Sequence, residues 1–240
     1  MIKLIYNKKF DKIKKLIKNN KNLLYEYGQS NELPIHVACY LGYEYIIDLF
    51  NKYNNNILFK KNILGDNSFH ILVSNQKLFI KYHKLFNKIN TNILNNFHEN
   101  ILYKYLIYNK EYDDNFLIYL VDNNFNINFP YNNFQLYKII QQPNAIYKLS
   151  KILKYFKNIN LNLLNKSKEN ILFYAILKED IELIKLIINN NFNYNDALYN
   201  NLNLIKYLIK FKKKKLLDYF IILDINYGYV NNFNNTNLHL

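Results

Sequence analysis

Apolar residues in this chain come in two kinds of run. One kind has helical spacing: Ile13, Leu16 and Ile17; Ile46, Ile47, Leu49 and Phe50; Ile181, Ile184, Leu186, Ile187 and Ile188, with Glu182 and Lys185 outside the apolar face. Side chains three and four residues apart share one side of an α-helix, so each of these runs predicts an amphipathic helix. The other kind is shorter and comes first, as in Ile101–Tyr108 or Ile171–Leu177. A polar break separates the two, such as Asn109–Asp114 or Lys178–Asp180, and a loop rich in Asn follows the second. The pattern predicts helix, tight turn, helix, long loop.

The grammar repeats in register. Glu32-Leu33-Pro34-Ile35-His36 aligns with Asp66-Asn67-Ser68-Phe69-His70, then with Glu99-Asn100-Ile101-Leu102-Tyr103 and Asn133-Phe134-Gln135-Leu136-Tyr137. Glu169-Asn170-Ile171-Leu172-Phe173 and Leu202-Asn203-Leu204-Ile205-Lys206 continue the series. The position of His36 recurs at 70, 103, 137, 173 and 206, steps of 34, 33, 34, 36 and 33 residues. One period earlier lies Lys3, within Ile2–Asn7, which predicts a shortened first copy. A fixed period of this size marks stacked supersecondary units, each too small to bury its own apolar face. The expected units lie near 1–27, 28–61, 62–94, 95–128, 129–164, 165–197 and 198–226, followed by a tail, 227–240.

Residues 33–50 resemble an ankyrin repeat. The family motif runs T-P-L-H-x-A-A-x-x-G before an apolar second helix. Leu33 stands at the Thr position, Pro34, Ile35, His36 and Ala38 match, Cys39 replaces the second Ala, and Gly42 matches. Ile46, Ile47, Leu49 and Phe50 match the second helix. Proline suits the first turn because its φ is pre-set and its missing N–H would have no partner there. Thr is absent from every copy, and Gly at the turn between helices survives only at Gly42. The usual Gly after the second helix gives way to Asn, at Asn54-Asn55, Asn123-Asn124 and Asn190-Asn191. Asn is the best non-Gly residue for the left-handed backbone that ends a helix. Pro143 is expected in the turn between the helices of its unit. The resemblance implies an all-α, ankyrin-like helix-turn-helix repeat solenoid of about six to seven repeats.

Composition bounds the rest. The chain has 240 residues, half of them hydrophobic, so one elongated domain with a buried core is expected. Net charge is +14, and all 32 basic residues are Lys. Asn makes up about a fifth of the chain, far above ordinary usage. Lys, Asn, Ile, Tyr and Phe share A/T-rich codons, so genome composition is the plainest source of the charge. Met1–Lys9 contains no signal-peptide core, and no apolar run approaches the roughly 18 residues of a spanning helix. An intracellular protein, cytoplasmic or nuclear and monomeric, is the expectation. A single Cys excludes an internal disulfide, and Cys39 falls at a buried motif position where a thiol is inert.

No catalytic constellation is legible, and no cofactor or metal is expected. Four Gly leave no phosphate loop. His36 and His70 are in register, but packed helices stand roughly 10 Å apart, too far for shared zinc ligation. The resemblance gives this imidazole a structural task, hydrogen bonding within and between repeats. His83 and His239 show no ligand spacing. Glu111, Asp113, Asp114 and Asp122 read as solvated charge in a turn and on a helix. Lysines crowd both ends: Lys3, Lys8, Lys9, Lys12, Lys14, Lys15, Lys18 and Lys21, then Lys206, Lys210 and Lys212 to Lys215. Terminal repeats need a polar outer face. The alternative is weak contact with nucleic acid or an anionic surface. The resemblance implies a protein partner, met by loop tips and the first helices on a concave face. Those positions are Tyr40, Leu41, Ile63, Leu64, Phe97, His98, Tyr108, Tyr131, Gln141 and Tyr199, beside the motif residues Pro34, His36, Ala38, Gly42 and His70. A scaffolding, adaptor or sequestering role follows from the same resemblance.

Overall fold

The computed structural model describes residues 1–29, 31–85, 90–128, 134–165, 169–190, 192, 198–199 and 202–223. The described residues form α-helices joined in hairpins, with one two-residue antiparallel pairing, Leu198–Tyr199 against Leu202–Asn203. The helices are α1 Ile2–Tyr6, α2 Phe10–Asn19, α3 Pro34–Leu41, α4 Glu44–Tyr53, α5 Ser68–Leu72, α6 Gln76–Leu85, α7 Ile101–Tyr108 and α8 Asp114–Asp122. They continue with α9 Phe134–Ile140, α10 Ala145–Tyr155, α11 Ile171–Lys178, α12 Ile181–Ile188, α13 Leu204–Lys210 and α14 Lys214–Ile222. Odd helices are the short apolar segments and even helices the amphipathic ones. The chain divides into two compact units, Met1–Asn126 and Ile127–Leu240.

In the first unit the short helices α3, α5 and α7 are buried nearly all round, whereas α1 buries only Ile5. Pro34 to Cys39 of α3 are all buried, as are Ile101, Leu102, Tyr103, Tyr105 and Leu106 of α7. The longer helices bury one stripe: Ile13 and Ile17 of α2, Ile46, Ile47, Leu49 and Phe50 of α4, Leu78, Phe79 and Tyr82 of α6. A column of rings ties neighbouring hairpins together. Phe69 lies 5.6 Å from Phe59 and 6.1 Å from Phe79, and Phe79 meets Phe116 edge-on at 5.6 Å. Phe116 in turn meets Tyr105 at 4.9 Å. Edge-to-face geometry brings a ring's positive rim to its neighbour's negative face, adding to plain burial. Cys39 is buried within this core, which pushes its thiol up to about 12.

The second unit follows the same plan. Leu172, Ala175, Ile176, Leu183, Ile184 and Ile187 are fully buried between α11 and α12 and their neighbours. Pro143 lies in the turn between α9 and α10. That turn is held from the next hairpin: the Lys178 ammonium donates to the carbonyls of Ile140 (2.8 Å) and Gln142 (3.0 Å). Ile140 is the last residue of α9, where carbonyls run out of helical donors, and a cation there also suits the helix dipole.

The turns depart from the sequence expectation in one respect. Gly42 (φ 69) sits two residues before α4, and the same left-handed backbone recurs two residues before α2, α12 and α14, at Lys8, Glu179 and Lys212. Each is followed by the same closing bond: Lys9 N–H to Leu4 O, Tyr43 to Ala38, Asp180 to Ala175, Lys213 to Leu208. The geometry of the turn therefore persists without glycine, at the strain of a left-handed L-residue. The expectation for Asn after the second helix holds at Asn124, which is left-handed (φ 59). Asn54 is extended instead, its side chain accepting from Asn56 N–H at 2.8 Å; Asn190 bonds back to Leu186 O, and Asn191 lies outside the described residues. A short polar side chain here bonds its own backbone, which supplies the turn without a positive φ.

Candidate binding face

The loop tips that precede the short helices share one construction. In residues 62–66 the Asn62 Oδ1 accepts from the N–H groups of Leu64 and Asp66, both at 2.9 Å. In 95–99 the Asn95 Oδ1 does the same for Phe97 and Glu99, both at 2.9 Å. Asn165 Oδ1 likewise accepts from Glu169 N–H. The first residue's N–H closes each tip onto the fifth residue's carbonyl, including Gly28 onto Glu32. Gly65 and His98, fourth in their tips, and Asn31 are all left-handed. Successive tips also bond to one another: Asn96 N–H to Leu64 O at 2.9 Å and Asn96 Nδ2 to Ile63 O at 2.8 Å. At Gly65 an added Cβ would meet the Asn96 backbone nitrogen at 2.6 Å, so this approach requires glycine.

An Asn caps the helix that follows most tips. Asn67, Asn100 and Asn170 accept from the N–H groups of residues two or three further on, with Asn100 to Tyr103 N–H at 2.7 Å. Leu33 cannot accept. The bond that remains there runs the other way, with the His36 Nδ1 accepting from Leu33 N–H at 3.2 Å. Its Nε2–H donates to Lys60 O at 2.9 Å, on the loop leading to the next hairpin. His70 repeats this, with Asn67 N–H at 3.3 Å and Asn67 Oδ1 at 2.8 Å from Nδ1, and Nε2–H aimed at Ile93 O and Glu99 O. The His36 ring, whose Nδ1 accepts and whose Nε2 donates, is neutral. Burial holds both below the ordinary histidine range, His70 to about 4; nearby Lys104 lowers His70 further and Asp66 opposes the drop.

Beneath the tips lies a buried polar network that the sequence reading did not identify. Asp66 and Glu99 are only 3% and 4% exposed. Asn95 Nδ2 donates to both, to Asp66 Oδ1 and Glu99 Oε2 at 2.9 Å each. The Lys104 ammonium pairs with Asp66 Oδ2 at 2.8 Å. Tyr108 OH reaches toward Glu99 Oε1 at 3.4 Å. The signal available in the sequence was the acid directly before each cap: Glu32, Asp66, Glu99 and Glu169. In the second unit Glu169 accepts from Tyr174 OH at 2.6 Å and from Asn165 Nδ2 at 2.8 Å, which raises the Tyr174 hydroxyl well above the usual phenol range, desolvation leading.

Above the network is an open cavity of ≈ 290 Å³, lined by Tyr40, Asp66, His70, Ile71, Val73, Ser74, Lys104, Tyr108 and Asn109. Tyr40 and Tyr108, named from sequence, share it and are 77% and 65% exposed. Ile63, Leu64, Phe97 and His98 occupy the two interlocked tips, with Phe97 62% exposed. Leu41, beside Gly42, is half-buried. Gln141 is exposed in the second unit. Tyr131 and the side chain of Tyr199 lie outside the described residues. The motif residues Pro34, Ala38 and His36 are buried, and Gly42 makes its left-handed turn.

No protein-family model matches the sequence, and no curated protein is significantly similar to it. The architecture does match. The crystal structure of the ankyrin repeat domain of Bcl-3, a member of the IkappaB protein family, aligns with TM-score 0.69 and 14% identity, covering 89% of this chain and 94% of that one. EF0377, an ankyrin repeat protein, aligns with TM-score 0.60 and 12% identity, covering 79% and 96%. The chain has the ankyrin-repeat fold. Within that fold the caps at Asn67, Asn100 and Asn170 take the place of the motif's Thr, so the missing Thr changes the donor's partner and not the geometry.

The lysines of the two ends differ once the ankyrin-type hairpins are placed. Lys3, Lys8, Lys9, Lys12, Lys14, Lys15, Lys18 and Lys21 are all exposed. Lys206 is buried, 1% exposed, so it does not belong to a basic surface: it occupies the motif position of His36, which is also buried at His70, Tyr103 and Phe173. Lys213 pairs with Glu179. No helix among the described residues is long and apolar enough to cross a membrane.

Proposed function

We propose that this ankyrin-fold chain is a non-catalytic interaction protein, binding a segment of another protein across the loop tips and first helices of residues 1–126. The observation that carries this reading is the coincidence of exposed apolar groups with a rigid frame. Tyr40, Tyr108, Phe97, Ile63 and Leu64 are exposed, while the backbone beneath them is fixed by tip-to-tip bonds and the Asp66–Asn95–Glu99 network. Tyrosine and phenylalanine anchored on a rigid scaffold lose little freedom on binding and carry much of the energy of protein interfaces. The cavity between Tyr40 and Tyr108 suits one bulky partner side chain. A scaffolding, adaptor or sequestering role is compatible with this face.

The test is affinity capture with the wild-type chain and with Tyr40→Ala/Phe97→Ala/Tyr108→Ala, read by quantitative mass spectrometry. Proteins held by this face drop at least tenfold with the triple variant, since each buried aromatic anchor contributes ~2 kcal/mol or more. Undiminished capture of every protein retained by the wild type would overturn the assignment.

A further inference from the structure

The outer face of the first hairpin carries a charge that no other described residue answers with an ion pair. Helix α2 buries only Ile13 and Ile17, leaving Lys12, Lys14, Lys15 and Lys18 exposed along it and Lys8, Lys9 and Lys21 at its ends. None of these lysines forms an ion pair with another described residue. The nearby acids of α4 are engaged elsewhere: Glu44 and Asp48 both bind Lys81, at 2.9 and 2.7 Å. Only Asp11 interrupts the basic surface of α2 itself.

Rings flank this surface. Phe10 meets Tyr43 at 5.3 Å and Tyr45 at 6.1 Å, and the Lys8 ammonium lies 5.9 Å over the Tyr43 ring. At the other end Lys21 lies 5.9 Å over Tyr53. Tyr45 is exposed. Lysines that neutralise phosphates release condensed counterions, and aromatic rings beside them offer stacking surface to unpaired bases. A bilayer fits less well: the apolar side of α2 is buried in the hairpin and has nothing to insert. Duplex readout is disfavoured by the absence of Arg, whose fork pairs with guanine edges.

We propose that the α2 face, with Lys8, Lys12, Lys15 and Lys18 and the Tyr45 ring, binds single-stranded nucleic acid without sequence preference. This surface is separate from the face proposed for a protein partner, and either assignment can fail alone. The probe is a fluorescein-labelled oligothymidylate, titrated with the full chain by anisotropy between about 50 and 200 mM salt.

The expected result is a log–log salt slope that Lys8→Gln/Lys12→Gln/Lys15→Gln/Lys18→Gln reduces by about 3, since each single-strand phosphate contact contributes roughly 0.7. Affinity falls at least tenfold in that variant, whose circular dichroism is unchanged because all four side chains are exposed. Tyr45→Ala weakens binding about fivefold or more with the slope preserved, as loss of a stacking platform does. Lys214→Gln/Lys215→Gln leaves binding as in the wild type. The proposal is overturned by a flat salt dependence in the wild type, by equal affinity in the fourfold variant, or by a duplex of the same length binding as well with no effect of Tyr45→Ala. Binding to phosphatidylcholine–phosphatidylserine vesicles that oligothymidylate cannot displace would also overturn it, assigning the face to a membrane surface.

Discussion

His36 bonds two backbone groups, Leu33 N–H and Lys60 O, and His70 reaches three, Asn67 N–H, Ile93 O and Glu99 O. Their folded pKa values lie below the ordinary 6.5, so the unfolded chain binds protons more readily than the folded one. Stability from this source is complete above about pH 6.5 and is lost as pH falls toward the folded values. For His70, lowered to about 4, the full loss is on the order of 3 kcal/mol at ~1.4 kcal/mol per pH unit. Urea melts between pH 7 and 4.5 should show stability declining more steeply in the wild type than in His70→Gln. Equal slopes would show that the imidazole does not titrate with unfolding. Removing the bridge outright has its own cost: His36→Ala leaves Leu33 N–H and Lys60 O without a partner and should destabilise by roughly 1–3 kcal/mol. An unchanged midpoint would contradict the buried bridge. His36 was legible in the sequence through the Pro34–Gly42 motif; its partner Lys60, 24 residues away, was not.

At the scale of the helix and its ends, caps and turns carry the repeat more faithfully than residue identity does. Asn100 holds Tyr103 N–H at 2.7 Å at a buried helix start, so Asn100→Ala should cost about 1–2 kcal/mol by thermal denaturation. A loss below a few tenths would mean water replaces the cap. The left-handed turn before α2, α4, α12 and α14 predicts the opposite sign. Lys212 is exposed at φ 53 and forms no ion pair with another described residue, so Lys212→Gly should stabilise by about 0.5–1 kcal/mol, relief of strain outweighing the entropy of glycine. A destabilised variant would show that the lysine side chain packs usefully there. The hydrophobic period placed the helices well because it reports burial, which a one-dimensional pattern records directly. It is silent on the role of Asn, because the same side chain caps helix starts (Asn67, Asn100, Asn170), organises tips (Asn62, Asn95, Asn165) and ends helices (Asn124). Only the backbone around it decides which.

For the first unit as a whole, stability rests on contacts between hairpins. The order of helices and the exposure of Tyr40, Phe97 and Tyr108 were readable from the register, because period and family motif fix which positions face out. The polar floor under them was not. Asp66 binds Lys104, 38 residues on, and a pairing across hairpins leaves no trace in local spacing. Lys206 shows the same limit, since a lysine at an inward motif position looks in sequence like one more surface charge. The ring column makes the dependence between hairpins measurable. Phe79 of α6 is fully buried and touches Phe69 of its own hairpin and Phe116 and Phe125 of the next. Phe79→Ala removes the ring from two hairpins at once and leaves a cavity that neighbouring helices fill only in part, a cost of about 3–5 kcal/mol. In a stack where each hairpin borrows its core from the next, that loss spreads. Hydrogen exchange should therefore show amides of α5 through α8 losing protection together. Protection lost from α6 alone, with α7 and α8 unchanged, would mean that each hairpin holds its own core and that the stacked-repeat account of this unit is wrong.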